Sequence, residues 1–133
     1  MKRLHVHIKV EDLAQSVTFY KTLFDAEPTV EKADYAKWML DAPAVNFALS
    51  TKNCCGSGGI NHIGIQTDSR DDLDSITDRL KAAGKSVFEE EQKTCCYAVS
   101  DKTWVEDPAG VKWETFVSHS PSSTYYGVSG AKT

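Results

Sequence analysis

The sequence holds little that would draw it to a polyanion or a lipid surface. Its 15 Lys and Arg are outnumbered by 19 Asp and Glu, for a formal net charge of −4, and no cluster of basic residues offsets this locally. Attraction for phosphate backbones and anionic lipid is thereby excluded, so neither nucleic acid nor a membrane is an expected partner. No apolar run approaches the roughly 18 residues that a membrane span requires. The basic start, Met1-Lys2-Arg3, passes straight into alternating residues and lacks a signal-peptide core. Nor is there a disulfide framework: the four cysteines form two adjacent pairs, Cys54-Cys55 and Cys95-Cys96, a spacing that fits a reducing cytoplasm better than a stapled secreted domain. What remains is the composition of an ordinary globular domain, 41% hydrophobic and 26% charged over 133 residues.

Hydrophobic periodicity reveals an internal repeat. Leu4, Val6, Ile8 and Val10 alternate with polar residues at period two, and Asn61-His62-Ile63-Gly64-Ile65-Gln66-Thr67 repeats the pattern. Each strand precedes an amphipathic helix, with Leu13, Val17, Tyr20 and Phe24 on one stripe and Leu73, Ile76, Leu80 and Ala83 on the other. Asp12 and Asp71 are the candidate start signals. A similar extended ending follows twice, matching Trp38 with Trp104, Asp41 with Asp107, Val45 with Val111 and Phe47 with Trp113. The expected architecture is an α+β single domain over residues 1–133, a βαβββ unit written twice. Module one covers about residues 1–51, an exposed linker 52–59, module two about 60–118 and a polar tail 119–133. Packing the modules about a pseudo-twofold axis would form a curved mixed sheet around a shared cleft.

The repeat aligns His5 with His62, each second in the first strand of its module, and Ala48 with Glu114 in the last strands. Two imidazoles, one carboxylate and open positions are the ligand set of a non-haem iron centre that binds substrate and O2 side by side. Such a centre acts as a Lewis acid or a redox site. The competing reading treats any one of these as an ordinary strand side chain, and a slip of one residue would turn Glu114 to the other face. Glu106 is the rival carboxylate, but it matches Leu40 and borders the Asp107-Pro108-Ala109-Gly110 turn. His7 faces the same way as His5 yet matches Gly64, which makes it a neighbour of the site rather than a ligand, and His119 is expected to be solvated.

Adjacent thiols select soft, thiophilic centres such as trivalent arsenic and cadmium. In a regular strand Cys95 and Cys96 would point to opposite faces, so joint ligation requires an irregular backbone there, with the sulfurs about 4 Å apart. The bland alternative for each pair is a buried small hydrophobe or an inert surface thiol.

Together these residues resemble the vicinal oxygen chelate superfamily of glyoxalase I, bleomycin and fosfomycin resistance proteins and extradiol dioxygenases. Within it, Leu4-His5-Val6-His7, Val45-Asn46-Phe47-Ala48, His62-Ile63-Gly64-Ile65-Gln66, Thr94-Cys95-Cys96-Tyr97-Ala98, Asp107-Pro108 and Trp113-Glu114 resemble the organoarsenical carbon-arsenic lyases and the related cadmium-induced proteins. The resemblance implies a vicinal oxygen chelate fold and an Fe(II)- and O2-dependent enzyme that cleaves trivalent organoarsenicals and releases arsenite. It also implies His5, His62 and Glu114 as iron ligands, where Ni, Co or Zn can substitute in a purified sample, and Cys95 and Cys96 as the arsenic-binding thiols. It assigns no role to Cys54-Cys55, and a monomer and a homodimer are equally compatible with it. Two alternatives stand beside it: a non-enzymatic thiol trap for cadmium or arsenite, and a metal-dependent enzyme of the glyoxalase or fosfomycin-resistance kind, which has no need of Cys95 and Cys96.

Overall fold

In the computed structural model, residues 1–52, 59–123 and 125 are described. The linker pair Cys54-Cys55 lies outside the described residues. The elements run β1 (Arg3–Lys9), α1 (Leu13–Phe24), β2 (Val30–Lys32), β3 (Tyr35–Asp41), β4 (Ala44–Ser50), then β5 (Ile60–Gln66), α2 (Arg70–Ala82), β6 (Phe88–Cys95), β7 (Ala98–Glu106) and β8 (Lys112–Pro121). This is an α+β chain in which the βαβββ order occurs twice. No helix among the described residues is long and apolar enough to cross a membrane. Two compact units are formed, one from Lys2 to Gly64 and one from Ile65 onward with Met1, so the chain passes from one to the other within β5.

The first unit orders its strands β2-β3-β4-β1-β5. Its sheet is mixed: β1 runs parallel to β4, with His5 opposite Asn46 and His7 opposite Ala48, while β3 runs antiparallel to β4, with Trp38 opposite Phe47. Period two then sorts the side chains onto two faces. Ala36, Trp38, Val45, Phe47 and Leu49 fall on one face and form the core with Val17 of α1, closed over by Leu13, Tyr20 and Phe24. His5, His7, Asn46, Ala48 and Ser50 fall on the other face and are all buried. Helix α1 starts where the Asp12 carboxylate accepts the Gln15 N–H at 3.0 Å and stops at Asp25, whose φ of 52° ends the helical run. Trp38 is fully buried, and its indole N–H donates to the Ala26 carbonyl at 2.9 Å.

The second unit is built differently beneath the same element order. Its hairpins order the strands β8-β7-β6. Helix α2 begins at Ser69, whose hydroxyl accepts the Asp72 N–H at 3.1 Å, and not at Asp71. Asp71 sits in the first turn, where a carboxylate favours the positive end of the helix dipole. Leu73 is buried as expected, but the next inward residue is Thr77, whose hydroxyl meets that of Thr103 at 2.6 Å, while Ala83 is the exposed cap. Strand β8 continues through Ser120 and Pro121, which pair with Val99 and Ala98, so the strand reaches into the segment expected to be a tail.

The two hairpins also differ in register. Trp38 faces Phe47 across β3 and β4, whereas Trp104 faces Glu114, not Trp113, across β7 and β8. The connection between β7 and β8 runs from Asp107 to Val111, held by the Asp107 carboxylate accepting the Ala109 and Val111 N–H groups at 2.9 Å each. Because Thr103 meets α2, Trp104 lies on the face turned away from the helix, opposite in sense to Trp38. The Trp38–Trp104 match in the sequence is therefore not a match in the structure. The match of Ala48 with Glu114 survives, since each stands on its sheet's helix-free face.

Candidate metal and thiol sites

In the first unit, β1 and β5 lie side by side and bring His5 and His62 together, with their Nε2 atoms 3.1 Å apart. Each ring is oriented through its other nitrogen. His5 Nδ1 lies 3.1 Å from the Asn46 carbonyl and His62 Nδ1 lies 3.0 Å from Asn61 Oδ1. A carbonyl or amide oxygen only accepts, so both rings carry the proton on Nδ1 and the lone pair on Nε2. Two buried lone pairs facing one another repel unless a proton or a cation lies between them. Two ligands on adjacent positions of one ion, at metal–nitrogen bonds of about 2.0–2.1 Å, stand about 2.9–3.4 Å apart for square to tetrahedral angles. The observed separation therefore fits one divalent ion. The oxygens behind the rings supply the outer support that metal-bound histidines ordinarily have.

His7 joins this group. It is fully buried, and one ring nitrogen each from His5, His7 and His62 lie within 4.8 Å of one another. His7 Nε2 also contacts the Ser50 hydroxyl at 2.8 Å.

In the second unit, Glu114 projects from β8 on the helix-free face and is 4% exposed. Lys102, on β7 and 6% exposed, places its ammonium 2.6 Å from the Glu114 carboxylate. Burial alone would pull the Lys102 ammonium down. The opposing pull of Glu114, with that of Cys95 and Cys96, outweighs it, and the group is held well above its ordinary range. Glu106, the rival carboxylate, is exposed at the end of β7 opposite Lys112.

Cys95 and Cys96, which form no disulfide, lie at the tip of the β6–β7 hairpin, where Cys95 pairs with Ala98 and leaves Cys96-Tyr97 as a two-residue turn. Both turn residues have positive φ, 57° and 62°. That is the type I′ pattern, which suits strand twist but usually takes Asn and Gly. Here it supplies the backbone irregularity the sequence required. It turns Cys96 back toward its neighbour, and the two sulfurs lie 3.3 Å apart. Cys96 Sγ is also 3.5 Å from the Tyr125 hydroxyl, and the Tyr97 and Tyr125 rings stack edge to face at 5.4 Å.

His119 is exposed, as expected, yet it also has a fixed partner. A bulge between its neighbours in β8 aims it at Asp101, 2.8 Å away, where Arg70 of α2 and the Gln92 N–H also converge at 3.0 and 2.8 Å. Burial would raise the Asp101 carboxyl, but the Gln92 N–H, His119 and Arg70 together bring it below its ordinary value.

Sequence reasoning missed Lys102, Asn46 and Ser50. For Lys102 and Ser50 the signal was a polar residue at an inward strand position, whereas Asn46 acts through its main-chain carbonyl, which leaves no mark in the sequence.

Residues 2–115 match the Glyoxalase/Bleomycin resistance protein/Dioxygenase superfamily. Over 117 residues the chain is 41% identical to a trivalent organoarsenical cleaving enzyme of Bacillus sp. (strain MD1), covering 87% of this chain and 73% of that protein. It is 34% identical over 125 residues to cadmium-induced protein CadI of Mycobacterium bovis, covering 94% and 82%. The Mn(II)-bound glyoxalase from Novosphingobium aromaticivorans shares the fold, with a TM-score of 0.63 at 22% identity over 92% of this chain and 42% of that one.

Proposed function

The chain belongs to the Glyoxalase/Bleomycin resistance protein/Dioxygenase superfamily, and on that premise we propose that it is an Fe(II)-dependent enzyme that uses O2 to cleave the carbon-arsenic bond of trivalent organoarsenicals. Methylarsenite and reduced aromatic arsenicals are its substrates and arsenite is its product. The observation that carries this reading is the pair of sulfurs 3.3 Å apart on a strained turn. That is closer than the roughly 4 Å expected from the sequence, which a wide angle would give, and it is the spacing of two sulfurs bonded to one atom at about 2.3 Å with an angle near a right angle. Each As–S bond replaces an As–O bond and releases water, so the pair captures trivalent arsenic covalently and leaves the organic group as its one remaining substituent. Recognition thereby becomes positioning.

His5, His62 and Glu114 are assigned to the ion, and Fe(II) held there would supply the redox chemistry with O2. The Lys102 ammonium lies 2.6 Å from the Glu114 carboxylate, and Glu114, Cys95 and Cys96 together hold its charge in place against burial. The positive φ at two non-glycine residues is strain held at the point where substrate would be gripped.

Anaerobic loading with Fe(II) and methylarsenite, followed by air and arsenic speciation, tests the reading. Arsenite should appear with the wild type and fall at least about a hundredfold with Cys95→Ser/Cys96→Ser, since the lost positioning is worth several powers of ten. A second reading, that the thiol pair only sequesters arsenic or cadmium, draws on the same sulfur geometry and predicts bound methylarsenite with no arsenite released. Full activity in the double serine variant would instead favour a glyoxalase-like or fosfomycin-resistance-like reaction. A pentavalent arsenical, lacking a thiophilic centre, should not turn over until reduced.

A further inference from the structure

We propose that His7 is a third imidazole ligand, so that the first unit holds a borderline divalent cation of the zinc, cobalt or nickel type on His5, His7 and His62. The inference shares His5 and His62 with the reading above but needs neither arsenic nor O2.

Three observations carry it. First, the three rings are gathered in one buried cluster, with one ring nitrogen of each within 4.8 Å of the others, all from the unit spanning Lys2 to Gly64. Second, the hydrogen bonds around them set the lone pairs. Asn46 and Asn61 oxygens hold the protons of His5 and His62 on Nδ1. The Ser50 hydroxyl donates to the Lys52 carbonyl at 3.3 Å, so toward His7 Nε2, 2.8 Å away, it accepts. That puts the His7 proton on Nε2 and its lone pair on Nδ1. The oxygens behind all three rings thus hold a proton on the nitrogen away from the cluster, as those behind metal-bound histidines do. Third, the carboxylate assigned to the ion is already engaged by the buried Lys102 ammonium at 2.6 Å, so the imidazoles have no exclusive claim on it. Three neutral imidazoles leave the bound ion its full double charge and favour borderline transition ions over magnesium or calcium.

The test is cation binding by the full chain, without arsenic and without O2. Titration with Co(II), read by calorimetry and by visible absorption, should show His7→Gln weakened by more than about tenfold relative to wild type, the scale on which lost ligands and their supports act. Gln retains an N–H for Ser50, and circular dichroism checks that the variant folds. Long-range proton–nitrogen spectra of the unaltered chain with Zn(II) need no substitution: nitrogens of all three imidazoles should shift. His7→Gln binding Co(II) as wild type does, or only His5 and His62 shifting with Zn(II), overturns the proposal. Neither outcome depends on arsenite release, so its failure and that of the lyase reading are separable.

Discussion

The two βαβββ units share an order of elements and little of their chemistry. Beneath α1, the sheet face is aromatic and aliphatic: Tyr20 and Phe24 lie with ring centroids 4.6 and 5.1 Å from Phe47, around a fully buried Trp38. Beneath α2, the corresponding face carries the Thr77–Thr103 hydroxyl contact and the Arg70–Asp101 ion pair. On the helix-free faces the contrast reverses in kind. The first unit gathers three imidazoles, while the second sets a carboxylate, an ammonium and two thiols. Duplication preserved the backbone plan because backbone hydrogen bonding is indifferent to side chains. The two copies were then free to differ wherever a strand's alternation exposes a side chain to a different neighbour.

If the first unit depends on dispersion and burial and the second on satisfied polar groups, substitutions should separate them. Phe47→Ala should cost about 4 kcal/mol in denaturant unfolding, as aromatic truncations in packed cores do. A loss under about 1 kcal/mol would mean that the aromatic cluster is not what holds that unit. Lys102→Met should cost about 3 kcal/mol, because it strands a buried carboxylate, and adding Glu114→Leu should recover most of it. Failure of the second substitution to rescue the first would show that Lys102 acts through something other than its ion pair. Asp101→Asn should have the smallest effect, on the acid side. Because the folded carboxyl lies below its ordinary 3.8, its stabilisation is fully present above that value and is lost as pH falls through the lower folded value. The variant should therefore lose some stability at neutral pH and show a shallower decline in stability as pH falls below the ordinary carboxyl value. An unchanged acid limb would remove Asp101 as the polar anchor of the second unit.

Much of the architecture was legible in the chain itself. Alternation in β1 and β5 and the stripe on α1 are direct consequences of periods two and 3.6, and they placed His5, His7 and His62 on one side of their strands. The Trp38–Trp104 correspondence misled because register is set by the connection, and the longer turn between β7 and β8 moved Trp104 to the opposite face. Asp71 misled as a helix start because Ser69, two residues earlier, caps as well and was reached first. His119 is exposed as read, but its contact with Asp101 was not legible, because a bulge leaves no local sequence mark.

By itself the sequence determined the two βαβββ modules, the side of β1 on which histidines lie, and the presence of two thiols where the backbone had to be irregular. Those follow from local periodicity and covalent adjacency, which need no partner strand. Only the tertiary structure decided that two imidazole nitrogens stand 3.1 Å apart, that His7 belongs with them, that Lys102 is buried against Glu114, and that Cys96 turns back to within 3.3 Å of Cys95. Those distances depend on strand pairing and turn conformation, which bring together atoms that the order of residues leaves far apart.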